Sequence, residues 1–361
     1  MLEGDNYHIG QTLGQMVSNS PGFKEAHILP QASFSQTEGE KIIKLFNQFC
    51  PGLNEEIEGF SDVFKVDKGQ VLYYALTFLR PGCSQMAILP SKSENGHTIL
   101  ARNYDFSEKL DDMTITTTRV TGRYAHLSSS AVLFGRGDGM NECGLAVSQT
   151  SAGLPVSNMN PAFRKPAIEG LNFWAVIRSV LENCADCDET IRFIRDMPIA
   201  FNINLMAADR TGKAVLIETF DGRKAIKEIN SSTEEQYIFS TNHVCLPELT
   251  QLEEKKLKHS VLRYELIDKK LSSKDKVSEE DIKELLTTHY PEGLCFDYYD
   301  EFFGTLRSIV FDSNECTAKL CFGSPDINPW YNIKVNGEIL QGIYPVTLRK
   351  GTMGKEIMEM I

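Results

Sequence analysis

The hydrophobic pattern of the sequence changes abruptly at residues 80–84, Arg80-Pro81-Gly82-Cys83-Ser84. Before this point apolar residues recur at helical spacing, and after it the pattern is that of strands joined by turns. Pro81 cannot continue a helix, and Gly82 has no side chain, so another group can approach its carbonyl closely. We therefore expect a helical segment over residues 1–82, a second region over residues 83–361, and a strand that begins at Cys83.

The junction Gly82-Cys83 also has a chemical meaning, because a thiol that follows an accessible glycine carbonyl can attack it. Hydrolysis of the resulting ester would leave Cys83 as a new N-terminus, with an α-amine whose pKa is about 7.7–8.0. Such an amine can serve as the base for the adjacent nucleophile. For a cysteine considered alone, a buried and inert thiol is the commoner alternative.

The remaining elements follow from periodicity and turn residues. The predicted helices are 4–16, a helix capped by Thr37 that runs to Phe49, Leu53–Phe64, Val71–Leu79, Ile168–Asn183, Asp188–Asp196, Leu252–Leu271 and Ser278–His289. The predicted strands are Ser84–Pro90, His97–Phe106, Met113–Val120, Ala131–Gly135, Leu145–Gln149, Ile203–Ala208, Ala214–Phe220, Tyr237–Ser240, Ser308–Asp312 and Ala318–Phe322. Strands and helices come in groups rather than in strict alternation, which predicts an α+β fold and argues against a doubly wound parallel sheet. Gly10 and Gly14, four residues apart, predict close packing between helices.

The charge and composition of the chain limit the classes of binding partner that we expect. The net charge is −12 with no basic run, so nucleic acid and anionic membranes are poor candidates. The acidic N-terminus is not a secretory signal, and no apolar stretch is long enough to span a bilayer. Nine cysteines without a signal predict reduced thiols and a cytoplasmic protein. The expected partner is a small molecule, and homo-oligomerisation stays open.

Two further patterns bear on metals and cofactors. Cys184-Ala185-Asp186-Cys187 has the spacing of a metal or redox pair, but no second pair or nearby histidine completes it, so we interpret it as a turn between helices. The seven histidines show no His-x-x-x-His spacing. The sequence therefore predicts no metal site and no cofactor.

Polar residues that could assist Cys83 lie at the ends of the predicted strands. A hairpin turning at Asn95-Gly96 would bring Arg102 and Asp105 near Cys83. A guanidinium there would favour the thiolate, and a carboxylate could hold the α-amine. An ordinary ion pair at a strand end is the alternative.

Two asparagines, Asn141 and Asn242, follow strands and could donate hydrogen bonds to an oxyanion. Taken alone, each is more typical of a turn. Arg263 lies in a charged helix and by itself indicates a solvated side chain.

Four motifs in this order resemble the signatures of the N-terminal-nucleophile hydrolases, in particular choloylglycine hydrolases and acyl-CoA:6-aminopenicillanic acid acyltransferases. They are Gly82-Cys83-Ser84, Ala101-Arg102-Asn103-Tyr104-Asp105-Phe106, Gly139-Met140-Asn141-Glu142-Cys143-Gly144-Leu145 and Ser240-Thr241-Asn242. Gly4, Tyr7, Gly10 and Gly14 also resemble an N-terminal signature of the penicillin acyltransferase branch, which keeps a long pro-segment. Bile salt hydrolases place the cysteine directly after the initiator methionine, and this chain departs from them.

The resemblance implies a four-layer αββα fold, cleavage at Gly82-Cys83, and an enzyme that cleaves linear amides or transfers the acyl group to an amine. It implies Cys83 as the nucleophile, with Arg102 and Asp105 supporting it. It further implies Asn242 as a side-chain oxyanion donor and Asn141 as a backbone donor. Arg263 matches the later arginine of the family through Ser260 and the spacing.

The loop Ser151–Pro166 follows the strand after Asn141, so we expect it to flank the pocket. Its apolar side chains Leu154, Met159 and Phe163 would suit an acyl chain. Hydrolysis and acyl transfer both stay open at this point. A non-catalytic binding protein that keeps the fold and never cleaves itself is the competing hypothesis.

Overall fold

We describe the chain from a computed structural model, which covers residues 1–20, 22–32, 35–75, 83–157, 163–301, 303–337 and 341–361. Gly82 and Met159, and the second half of the helix expected at Val71–Leu79, lie outside the described residues. Within the described part, no helix has the length and apolar character needed to cross a bilayer.

The α-helices and strands confirm most of the predicted elements. The helices are α1 (Asn6–Ser18), α2 (Phe23–His27), α3 (Gln36–Phe49), α4 (Leu53–Phe64), α5 (Leu72–Ala75), α6 (Phe173–Asn183), α7 (Cys187–Arg195), α8 (Pro247–Thr250), α9 (Lys258–Ser272) and α10 (Glu279–Thr287). The strands are β1 (Leu2–Gly4), β2 (Ser84–Ile88), β3 (Ile99–Phe106), β4 (Ile115–Val120), β5 (His126–Ala131), β6 (Gly135–Asn141), β7 (Ala146–Ser151), β8 (Ile203–Asp209), β9 (Lys213–Phe220), β10 (Arg223–Ile229), β11 (Tyr237–Ser240), β12 (Asp297–Tyr298), β13 (Phe303–Asp312), β14 (Thr317–Phe322) and β15 (Tyr331–Lys334).

These strands form two sheets, which confirms the α+β class. The first has the order β1-β4-β5-β6-β7-β8-β9-β10, and the second has the order β11-β2-β3-β13-β14-β15, with β12 paired to β13. Alternate residues of each strand face opposite sides, so both sheets bury apolar side chains on both faces. One core lies between the sheets and includes Leu100, Met140, Met206 and Phe311.

Helices cover the outer face of each sheet. Ile267 of α9 and Leu285 of α10 pack against Met86 and Val310 of the second sheet. On the first sheet, α6 shares a core with α1, α3 and α4. The order of layers is therefore helices, sheet, sheet, helices.

The N-terminal region is part of this packing. Helices α1 and α4 are in close contact because Gly10 and Gly59 have no side chains. A Cβ at Gly10 would lie only 1.8 Å from the Glu56 carbonyl oxygen, and a Cβ at Gly59 only 2.0 Å from the Tyr7 carbonyl oxygen. Gly14 also lies against α4, so the predicted close packing is confirmed. Leu2–Gly4 extends the first sheet by pairing in parallel with β4.

A buried ion pair ties α4 to α6. Both carboxylate oxygens of Glu56 accept from the Arg178 guanidinium, at 3.0 and 2.6 Å. Arg178 also donates to Glu182 at 3.0 Å and to the carbonyl of Phe134 at 2.8 Å. All three charged side chains are buried, so the region before Cys83 is joined to the rest by polar as well as apolar contacts.

Several local predictions are wrong. Ala131–Gly135 is a turn between β5 and β6, where Val132 and Leu133 have φ of 54° and 62°. Ser35, rather than Thr37, caps α3, because it forms a reciprocal capping box with Glu38.

Two further elements also differ from the pattern. Helix α9 begins at Lys258 rather than Leu252. Strand β10 was not predicted, because its lysines and arginine mask the alternation of a sheet edge.

Candidate active site

Cys83 lies directly before β2, at the end of the second sheet. Ser84 pairs with Asn103 and Gln85 with Arg102, so Cys83 comes beside Tyr104 and Asp105. The chain turns back near Gly96, whose φ of 73° suits glycine. The predicted hairpin thus accounts for the placement of Arg102 and Asp105 near Cys83.

The thiol of Cys83 is enclosed, with 4% of the residue exposed. Arg102 Nη2 lies 3.5 Å from Cys83 Sγ, and the backbone N–H of Asp105 also points at the sulfur. Burial raises the pKa of the Cys83 thiol, and Arg102 offsets only part of that rise. Arg102 therefore acts on the pKa of the thiol in the predicted direction, but the effect of burial is larger.

Arg102 is held rigidly. Its Nη1 donates to Asp138 Oδ2 and to the carbonyl of Gly137, both at 2.6 Å. Its guanidinium lies 4.9 Å from the ring centre of Tyr104, and Arg307 lies 4.2 Å from the same ring. These contacts fix the orientation of Arg102 Nη2 toward the sulfur.

Arg263 joins three of the predicted residues. Its Nη1 donates to the carbonyl oxygen of Cys83 at 2.9 Å and lies 3.7 Å from Asp105 Oδ2. Its Nη2 donates to Asn242 Oδ1 at 2.8 Å. Arg263 is fully buried, so the solvated side chain suggested by the charged helix is wrong.

Asp105 is a buried carboxyl with an incomplete set of partners. Thr305 Oγ1 donates to its Oδ1 at 2.7 Å, while Oδ2 accepts no hydrogen bond from the residues that the structure describes. Burial raises the pKa of Asp105 to about 7, although Arg263 opposes the rise. Asp105 Oδ2 can therefore accept a further hydrogen-bond donor.

The family follows from the sequence that surrounds this site. The family model of acyl-coenzyme A:6-aminopenicillanic acid acyl-transferase matches residues 91–326, which is more than half of the chain. The chain belongs to this family. A search of curated proteins found no match.

Among solved structures, three similar ones belong to hydrolases or acylases. A mutant of conjugated bile acid hydrolase from Clostridium perfringens is 15% identical over 76% of this chain and 99% of that one, with a TM-score of 0.46. Penicillin V acylase from Agrobacterium tumefaciens is 17% identical over 70% and 86%, with a TM-score of 0.46. The N-acylethanolamine-hydrolyzing acid amidase ortholog of Caenorhabditis elegans is 16% identical over 64% and 93%, with a TM-score of 0.44.

In this member of the acyltransferase family, Asn242 has a partner that sequence reasoning missed. Asn242 Nδ2 donates to the carbonyl oxygen of Ser151 at 3.0 Å and lies 3.1 Å from Ser151 Oγ. The backbone N–H of Asn242 donates to Ser260 Oγ at 2.7 Å. The polar run at the end of β7, Thr150-Ser151, was the available signal for this contact.

Asn141 does not take the predicted role. Its backbone N–H donates to the carbonyl of Leu145 at 3.0 Å and is therefore not free for an oxyanion. Its side-chain amide donates to Leu181 and Cys184 carbonyls at the end of α6, at 3.0 and 2.7 Å. The prediction is wrong, because Asn141 closes the β6–β7 turn and holds the C-terminus of a helix.

The loop after β7 begins beside Asn242. The N–H of Gly153 donates to the carbonyl oxygen of Asn242 at 3.0 Å. Leu154 is 58% exposed and Phe163 is partly buried. Both remain predicted substrate contacts.

Cys184 follows the end of α6, and Cys187 is the first residue of α7. Asp186 caps α7, and the N–H of Cys187 donates to Asp209 Oδ2 at 2.9 Å. This agrees with the interpretation of Cys184–Cys187 as a turn between helices.

Proposed function

We propose that this protein is an amide hydrolase or acyltransferase that works through a thioester on Cys83 and is activated by cleavage between Gly82 and Cys83. The observation that carries the proposal is the set of contacts from Cys83 through Arg102 and Arg263 to Asp105 and Asn242. The substrate class is a small molecule with a linear amide or an activated acyl group, in keeping with the family.

Activation needs only the chain itself and water. Cys83 Sγ adds to the Gly82 carbonyl carbon, the C–N bond to Cys83 breaks, and its nitrogen takes the thiol proton. Water then hydrolyses the thioester, which leaves a carboxylate on Gly82 and a free α-amine on Cys83. Arg102 lies where it can stabilise the developing thiolate in this step.

Turnover uses the new amine as the base. The α-amine takes the proton of the thiol, and the thiolate attacks the acyl carbon. Burial raises the pKa of the Cys83 thiol and Arg102 offsets only part of the rise, so a nearby base would promote formation of the thiolate. Asp105 Oδ2, which lacks a hydrogen bond among the described residues, is the acceptor that would hold the resulting ammonium.

Asn242 is the proposed oxyanion donor, and its Nδ2 hydrogens, which go to Ser151 in this structure, would turn to the oxyanion when substrate binds. Arg263 fixes its Oδ1, which turns Nδ2 toward Ser151 at the opening of the loop after β7. Ser151 Oγ accepts from Asn242, so its own hydroxyl hydrogen is available to point at the oxyanion. The ammonium of Cys83 then protonates the leaving nitrogen, and water or an acceptor amine takes the acyl group.

The segment before Cys83 should remain bound after cleavage. The β1–β4 pairing and the Glu56–Arg178 ion pair both join it to the region after Cys83. We therefore propose a pro-segment, residues 1–82, and a catalytic region, residues 83–361, that stay together as two chains.

The test is denaturing electrophoresis with N-terminal sequencing. Wild-type protein should give two fragments, the larger beginning at Cys83. Cys83→Ala should remain a single chain and lose turnover by roughly 10⁶-fold, as when other nucleophiles are removed. Cys83→Ser should cleave slowly, because a hydroxyl is the weaker nucleophile.

Two further variants sharpen the assignment. Arg102→Ala should slow both cleavage and turnover, and Cys143→Ser, a partly exposed thiol elsewhere, should change neither. Turnover by a protein that remains one 361-residue chain would overturn the mechanism. Adding an acceptor amine to the assay then separates acyl transfer from hydrolysis.

A further inference from the structure

Three side chains on the segment after α10 place unlike donor atoms close together. His289 offers a ring nitrogen, Cys295 its Sγ and Asp297 a carboxylate oxygen, and these atoms all lie within 4.8 Å of one another. In a tetrahedral zinc site, ligand atoms lie roughly 3.3–3.7 Å apart, since metal–ligand distances are about 2.0–2.3 Å. Small side-chain movements would therefore bring the three groups onto one ion.

The backbone holds these residues in place. Cys295 donates its N–H to the Thr288 carbonyl at 3.0 Å, and its carbonyl accepts from the N–H of Tyr290 at 2.9 Å. His289 and Cys295 form a bridge between two short parallel segments. Asp297 begins β12 and pairs with Gly304. Because the donors sit on paired backbone, they need little ordering when an ion binds.

The surroundings supply the outer groups that metal ligands usually have. His289 Nδ1 lies 2.5 Å from Asp297 Oδ2, on the side of the cluster, while Nε2 faces Asp326 Oδ2 at 3.3 Å. Asp326 is in turn held by Arg349 at 2.5 Å, and Ser324 Oγ donates to Asp297 Oδ1 at 3.2 Å. A carboxylate on the far nitrogen of a ligating histidine fixes its tautomer and raises its basicity.

We propose that His289 Nδ1, Cys295 Sγ and the Asp297 carboxylate bind one Zn²⁺, with Asp326 orienting the histidine and water in the fourth position. The thiol releases its proton to solvent on binding. Thiolate and carboxylate then balance the two charges of the ion, and the neutral histidine donates Nε2–H to Asp326. A mixed nitrogen, sulfur and oxygen set suits zinc rather than calcium or magnesium.

The predicted lack of a metal site rested on histidine spacing and on the isolated Cys184–Cys187 pair. The proposed ligands contain one histidine and read His-x₅-Cys-x-Asp, so a search for His-x-x-x-His passes over them. The convergence depends on the fold of residues 288–297 and on Asp326, neither of which the sequence pattern reveals.

The site would act on the catalytic cluster by positioning. Between Cys295 and Asp297, Phe296 donates its N–H to Thr305 Oγ1 at 2.9 Å, and Thr305 donates to Asp105 Oδ1 at 2.7 Å. The Phe296 ring lies 5.0 Å from the guanidinium carbon of Arg263. A bound ion would therefore hold in place the segment that contacts Arg263 directly and Asp105 through Thr305.

The test is binding of Co²⁺ and Zn²⁺ to reduced, chelator-treated full-length protein. Cobalt should bind with one-to-one stoichiometry and give a thiolate-to-cobalt absorption band, and zinc should displace it. Cys295→Ser should lose the band and the stoichiometric binding. Cys321→Ser, another buried cysteine outside the cluster, should keep both.

Two further measurements keep the proposal independent of folding and of catalysis. Asp326→Asn, which leaves all three ligands in place, should weaken zinc binding by about 10–100-fold. The Cys83→Ala protein should bind as the wild type does, whether or not the chain cleaves. No band in the wild type, or a band that persists in Cys295→Ser, would show that the cluster is only a hydrogen-bonded Asp–His pair.

Discussion

The molecule has two buried clusters of charged side chains, one around Arg178 and one around Cys83, and their hydrogen bonding differs. Around Arg178, the carboxylates of Glu56 and Glu182 and a backbone carbonyl satisfy the charges, and none of these side chains lacks a hydrogen bond among the described residues. Around Cys83, within the same described ranges, Arg102 Nε, Asp105 Oδ2 and Asp138 Oδ1 accept or donate no hydrogen bond.

The pKa values of Arg178 and Arg263, one arginine from each cluster, shift in opposite directions. Burial lowers the pKa of Arg178, but Glu182 and Glu56 more than offset it, and the net pKa lies above the usual value. Burial also lowers the pKa of Arg263, and there Asp105 does not restore it. We infer that the first cluster holds the layers together, whereas the second retains capacity for a new charged group, as expected where chemistry occurs.

The largest expected effect comes from a substitution in the cluster around Arg178, in which every charged side chain is hydrogen-bonded. Glu56→Gln leaves Arg178 buried with reduced compensation, so the free energy of unfolding should fall by about 3–5 kcal/mol. Urea denaturation of the variant in the single-chain Cys83→Ala background measures this. Glu169→Gln, which removes an exposed ion pair with Lys41, is the matched control and should change stability by less than about 0.5 kcal/mol. Equal losses for the two variants would remove the distinction between the clusters.

A pair of asparagines provides the second comparison. Asn242→Ala should lower kcat by about 10²–10³, or roughly 2.7–4 kcal/mol, and its loss of stability should be smaller than this, although the Ser151 carbonyl and Arg263 Nη2 each lose a partner. Asn141→Ala should instead lower the free energy of unfolding by about 1–3 kcal/mol, because it leaves the Leu181 and Cys184 carbonyls unpaired. Its kcat should be unchanged. Steady-state kinetics and thermal denaturation of both variants check the pair. A Tm loss in Asn242→Ala that matches its loss of activity would make it a turn residue instead.

The third prediction uses the raised pKa of Asp105. The folded carboxyl has a pKa of about 7, against about 3.9 in the unfolded chain, so between these values the folded state holds a proton that the unfolded state lacks. Its contribution to stability is therefore lost as pH rises through that window. In the Cys83→Ala background, Asp105→Asn should flatten the fall of unfolding free energy by up to about 1.4 kcal/mol per pH unit.

Urea denaturation at several pH values between about 5 and about 7 measures this slope. Glu218→Gln should flatten it in the same direction, because burial raises the pKa of Glu218 to about 7 as well. A slope that Asp105→Asn leaves unchanged, while Glu218→Gln flattens it, would show that Asp105 is ionised in the single chain.

The smallest effect concerns the loop after β7. Replacing Leu154, Met159 or Phe163 by Ala should change the preferred acyl chain length, by on the order of 1 kcal/mol for each methylene that loses its contact. Competition between acyl donors of different length measures the preference. If all three variants keep the wild-type preference, the loop does not contact the acyl chain.

Sequence reasoning succeeded where the contacts are local. The turn at Asn95-Gly96 and the strands that flank it were sufficient to bring Arg102 and Asp105 to Cys83, and Leu53–Phe64 and Tyr237–Ser240 were predicted to the residue. Periodicity and turn chemistry act over a few residues, so they carry this information.

It failed where distant segments decide the outcome. Glu56 and Arg178 are 122 residues apart, and no pattern links them. Asn141 resembles an oxyanion donor in sequence, but its amide meets α6 carbonyls some 40 residues away. Arg263 lies in a helix of charged residues, and only the packing of that helix on the second sheet buries it. Its role came from the family resemblance rather than from the residues around it.

The parallel pairing of Leu2–Gly4 with β4 has a consequence for the aggregation of the protein. If the N-terminal fragment dissociated, β4 would become a bare border of the first sheet, with unpaired N–H and C=O groups along it. Such a border recruits strands from other molecules and seeds aggregation. Residues Leu2–Gly4 thus cover the edge strand of the first sheet and protect it from pairing with other chains. A polypeptide that begins at Cys83 should form aggregates, and supplying residues 1–82 as a separate chain should restore its solubility.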